Sequence, residues 1–73
     1  MEGEAMAGDS RKFQWRGTHL YYADRRVPFS IVQDVAYPNM WRVKLPDGKL
    51  TDMVNYTRAK DAAVAFGLRY LNE

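Results

Sequence analysis

At Thr57 the spacing of apolar residues changes, and this change constrains the fold more than any other feature of the chain. Before it, the stretch from Met40 to Asn55, "MWRVKLPDGKLTDMVN", alternates apolar and polar residues into a Pro-Asp-Gly corner and partly alternates out of it. After it, Ala59, Ala62, Ala63, Phe66 and Tyr70 recur at the spacing of about 3.6 residues that lines one side of a helix. A hairpin followed by an amphipathic helix predicts an α+β domain: a small antiparallel β-sheet of three or more strands packed against one C-terminal α-helix. Thr57 is read as the N-cap of a helix from about Arg58 to Leu71. Gly67, costly inside a helix, falls at the edge of the sheet-facing side and implies a close approach there.

Within the hairpin, Leu45, Pro46, Asp47 and Gly48 fit a type I turn, with Gly48 taking the left-handed conformation that closes a three-residue loop. That register sets Leu45 against Lys49, Val43 against Thr51 and Trp41 against Met53. It makes Arg42 and Asp52 direct partners on the other face, a pair that sets register more than it adds strength. Upstream, aromatic residues predict strands near Lys12 to Arg16 and Leu20 to Ala23, broken at Gly17. Asp24, Arg25 and Arg26 read as a charged loop. "VPFSIVQDV" then resumes as a strand, with Pro28 keeping its start at an edge.

At 73 residues the chain is one domain with a thin core. Met1 to Ser10 carries Glu2, Glu4 and Asp9 with no Lys or Arg and no apolar period, and is read as a disordered acidic leader to a single domain over residues 11–73. Those later residues hold 11 basic and 6 acidic side chains, a net +5. No apolar run nears the roughly 20 residues that cross a bilayer, and the acidic, small-residue opening is read as unlike a signal peptide. With no cysteine, this predicts a cytoplasmic protein without disulfides.

Little catalytic chemistry is on offer. His19 is the sole histidine and has no Cys to join it at zinc, so it is read as a loop or strand residue near Gly17. Asp47 is explained by the turn, Asp52 by Arg42, and Asp61 by the first turn of the helix. No glycine-rich phosphate loop is present. The chain is therefore read as no enzyme, with no catalytic residue, metal, cofactor or small-molecule substrate.

What remains is a basic, aromatic surface. Arg16, Arg25, Arg42, Lys44 and Lys49 are expected to meet phosphates or base edges, with Trp15 and Tyr22 packing on the nucleic acid. DNA is the expected partner. The competing class is a protein-interaction module or homodimer. Val64, Leu68 and Leu71 fall about 120–180° from Ala59 at 100° per residue, a second apolar stripe that one small sheet does not cover.

The run "WRVKLPDGKLTDMVNYTRAKDAAVAF" resembles the plant AP2-type domain and the arm-binding domains of phage-type integrases. In those families a strand opening with Trp, a turn with Asp or Gly, and a Thr-capped helix with paired alanines build a three-stranded sheet backed by a helix, and the sheet reads DNA. The corresponding residues are Trp41, Asp47, Gly48, Thr57, Ala62, Ala63 and Phe66, and "WRG" at Trp15 to Gly17 is similar to the AP2 opening. The resemblance covers about half the chain and implies that Trp41, Arg42 and Lys44 belong to a DNA-facing strand. The segment Thr18 to Asn39 is longer than the link in those families, which leaves room for a further strand.

Overall fold

A computed structural model describes residues 10–72. A single 3-10 turn (Ser10–Lys12) leads into five strands, β1 (Phe13–Arg16), β2 (His19–Tyr22), β3 (Arg25–Gln33), β4 (Met40–Lys44) and β5 (Val54–Asn55), followed by one helix, α1 (Tyr56–Leu71). The strands form one antiparallel sheet in chain order, β1-β2-β3-β4-β5, and α1 covers one of its faces. This is the α+β architecture that the change of period predicts. The leader expected over residues 1–10 lies outside the described residues, apart from Ser10 in the opening turn.

Tight turns set the first three strands. Gly17, at φ 64°, and Thr18 join β1 to β2, with Arg16 opposite His19. Ala23 and Asp24, at φ 49° and 69°, join β2 to β3 in the doubly left-handed geometry whose twist suits a hairpin. So short a turn pairs Tyr22 directly with Arg25 and Tyr21 with Arg26, so the two arginines open β3 instead of forming a loop. Pro28 does not keep the start of this strand at an edge as expected, because β3 is the middle strand and pairs on both sides. It lies inside β3, where the register with β2 slips between His19–Ser30 and Tyr21–Arg26, and an irregular stretch tolerates a residue that lacks an N–H.

The predicted turn at Leu45 to Lys49 is present, with Gly48 at φ 89° and its N–H donating to the Leu45 carbonyl at 2.9 Å. Beyond Thr51 the predicted register fails. The Val43 N–H donates to the Thr51 hydroxyl (2.9 Å), while the Thr51 carbonyl accepts from the Arg42 guanidinium (2.9 Å). With its carbonyl diverted, the returning strand gains a residue, and Trp41 pairs with Val54 in place of Met53. A one-residue slip exchanges faces: Val54 packs against the core and Met53 is exposed. Asp52 is exposed too, and the expected Arg42–Asp52 pair is replaced by Arg42–Asp34.

The helix starts earlier than predicted. Asn55 is the N-cap, its side-chain oxygen accepting from the Arg58 N–H at 2.8 Å, so Thr57 lies inside α1 and Asp61 lies beyond its first turn. Asn55→Ala is therefore expected to lower stability by about 1 kcal/mol. Thr57→Ala, by contrast, should be neutral or slightly stabilising, because alanine is the better helix former. Urea melts of the two variants, compared side by side, check the assignment.

Leu20, Val27, Phe29, Ile31 and Val43 on the sheet and Ala59 and Ala63 on the helix form the buried core. Small residues make the seam: Ala59, Ala63 and Gly67 are the buried positions of α1, spaced four apart. The contact is centred further round the helix than the sequence reading has it. Ala62 and Phe66 flank it on one side, Val64 packs against the core on the other, and Tyr70 stays largely exposed with its ring edge-on to Phe29 at 5.8 Å. Val64, Leu68 and Leu71, read as a second stripe, are all half-buried.

Candidate nucleic-acid interface

Alternation along each strand divides the predicted site residues between two faces. Trp15, Tyr22 and Trp41 are on the helix side and pack against the core, where Tyr22 meets Phe13 edge-on at 4.9 Å and Trp41 meets Tyr56 at 5.1 Å. Arg25, opposite Tyr22, belongs to that side as well. Lys49 lies in the β4 turn, with its ammonium 4.0 Å from the Asp47 carboxylate. Only Arg16, Arg42 and Lys44 of the predicted set reach the open face of the sheet.

They are joined there by residues the sequence reading passed over. Cross-strand partners share a face, and the partners Arg16–His19, His19–Ser30 and Ser30–Lys44 form an unbroken row across β1, β2, β3 and β4. Tyr21 and Arg26 are opposed on the same face, and the Arg16 guanidinium lies over the Tyr21 ring at 4.3 Å. His19, Arg26, Ser30 and Lys44 are the polar part of the lining of a shallow depression of about 220 Å³, whose remaining residues, Pro28 and Leu45 among them, are apolar. The signal that separates Tyr21 from Tyr22 is the position of Leu20: once Leu20 is in the core, period two sends His19 and Tyr21 outward.

No carboxylate occupies a strand position on this face among the described residues. Two acids reach it from turns. Asp24 holds Arg16 at 2.9 Å in an exposed pair, and Asp34, at the start of the β3–β4 connection, accepts from Arg42 Nε at 3.0 Å. Arg42 is thus partly neutralised and fixed, while Lys44 has no ion-pair partner among the described residues. Arg26 donates to His19 Nδ1 at 2.9 Å.

Asp34 also organises its loop. Its second carboxylate oxygen accepts from the Ala36 and Tyr37 N–H groups at 3.0 and 2.9 Å, and Gln33 donates to the Pro38 carbonyl at 2.6 Å. The hydrogen bond from Arg42, then that from Tyr37, hold the Asp34 carboxyl below its usual 3.8. A depressed carboxyl contributes stability that is present above its unfolded value and lost as pH falls through the folded one. Asp34→Asn is expected to be less stable than the native chain at neutral pH and to lie closer to it as pH drops below about 3.8. Urea midpoints across acid pH give the comparison.

These features define a small antiparallel meander with one helix behind it and a cation-bearing open face in front. No family model, no curated protein and no solved structure matches the chain. Among the described residues, no helix is long and apolar enough to cross a membrane.

Proposed function

We propose that the chain is a small DNA-binding module that lays the open face of its sheet against the phosphate backbone. The observation that carries this reading is the row from Arg16 to Lys44, reinforced by Arg26, on strand positions that hold no carboxylate. Adjacent strands are about 4.8 Å apart, so the row spreads its cations over roughly 14 Å. Single-sided charge spread over that distance suits a polyanion better than a lone anion. The use of a sheet face is also what the resemblance to the AP2-type and integrase arm-binding domains implies.

Phosphate neutralisation releases counterions, so duplex affinity should fall with salt by a log–log slope of about −0.9 for each contact. Lys44→Ala is expected to bind duplex more weakly and to make that slope shallower by about 0.9. Lys49→Ala, in the turn beside Asp47, should change it less. Fluorescence anisotropy with a labelled duplex at a series of salt concentrations makes the measurement. Absence of binding by the native chain at low salt would refute the proposal.

A further inference from the structure

Arginine has five N–H donors and no acceptor, so the 2.9 Å contact between Arg26 and His19 Nδ1 has one chemical meaning. In that contact Nδ1 is the acceptor. Protonating His19 removes that acceptor and converts the ring from Arg26's partner into a further cation. In the unliganded sheet three cations lie about the ring. Arg16 faces His19 from β1, Arg26 from β3, and Lys44 lies one strand further on in the same row. Asp24, paired to Arg16, is the nearest acid these contacts bring in, and α1 lies behind the other face of the sheet.

An anion in the depression reverses the balance. A tetrahedral oxyanion bound there would accept from Arg26, Lys44 and the Ser30 hydroxyl, take over the role of acceptor that Nδ1 plays in its absence, and leave the imidazole free to become a donor. We propose that His19, Arg26, Ser30 and Lys44 form a phosphate site whose occupation is linked to uptake of a proton by His19. The ligand is a phosphate group. Its assignment to a nucleic-acid backbone rests on the DNA-binding reading above, whereas the site itself does not. Linkage is reciprocal, so acid should tighten binding by the factor by which the anion favours protonated His19.

The test uses the native chain with two probes, sulfate alone and a short DNA duplex, neither of which changes charge between about pH 8 and about pH 6 while histidine does. Duplex affinity is expected to rise at least about fivefold over that range, within the usual span of site-to-site coupling. His19→Gln should flatten the dependence, and Lys44→Ala should weaken both probes while keeping it. Because His19 is the only histidine, its imidazole signals in the native chain report directly, without a variant. They should keep their protonated positions to higher pH when either probe is bound. Sulfate binding with this signature but no duplex binding would uphold the site and overturn the DNA reading. Duplex binding that is independent of pH, with imidazole signals unmoved by either probe, would overturn the site and leave the DNA reading intact. If neither probe binds, both fail.

Discussion

Ile31→Ala is expected to remove most of the stability of this domain. Ile31 is 1% exposed on β3, the middle strand, with Val43 opposite it on β4. Truncating a buried isoleucine to alanine costs about 2–5 kcal/mol, through lost transfer energy and the cavity left behind. The upper half of that range is expected here, because Ile31 sits among Leu20, Phe29 and Val43 in one small, buried core. A chain of this length has a total of only about 4–10 kcal/mol at the usual stability per residue. Ile31→Ala should therefore shift the urea midpoint far down or populate the unfolded state without denaturant. Ile31→Val, which removes one methylene, should cost about 1 kcal/mol. Equal losses for the two variants would mean that the centre of the core lies elsewhere.

The second large effect is expected at Gly67. A Cβ built there would lie 2.9 Å from Phe13 Cε1 and 3.0 Å from Phe13 Cζ, with a Leu20 methyl at 3.5 Å. Alanine gains about 1 kcal/mol of helix propensity but must push the Phe13 ring aside, and overpacking of this kind costs about 1–3 kcal/mol. Because Phe13 is half-buried on the edge strand β1, its ring has room to yield. Gly67→Ala should thus show a net loss of about 1 kcal/mol, small for a buried clash. Gly67→Val adds a branch that the seam has no room for and is expected to lose about 3 kcal/mol. Phe13→Leu combined with Gly67→Ala should recover part of the loss, since both residues occupy one space. Additive losses in a double-mutant cycle would show that they do not.

The sequence makes the architecture legible because it reports burial through period. The hairpin turn was readable from Pro46, Asp47 and Gly48, and α1 from the recurrence of Ala59, Ala63 and Phe66. What it conceals is any step at which a side chain replaces backbone. The Thr51 hydroxyl stands in for its own carbonyl in the ladder, and the slip that follows exchanges Met53 for Val54 with no alternation to announce it. Capping is ambiguous for a similar reason: Asn55 and Thr57 are both good N-caps by type, and pairing of Asn55 with Met40 at the end of β5 decides between them. The candidate site was half legible. Arg16 and Lys44 stand out by charge, but His19, Ser30 and Arg26 matter through their cross-strand neighbours, and those depend on the irregularity at Pro28.

The sheet is assembled in chain order, each strand beside the one before it, with the helix after the last strand. Pairing between neighbours closes only short loops, so the ordering cost of each step is modest and rapid folding is favoured. During synthesis on a ribosome, however, the same order delays the cover. Leu20, Ile31 and Val43 precede Ala59, Ala63 and Gly67, which cover them, in the order of synthesis. Any sheet that pairs before α1 docks would display an uncovered apolar face, the kind of surface that chaperones bind and that aggregates form from. Docking of α1, more than the closing of any hairpin, is therefore the step expected to commit the newborn chain to its folded state.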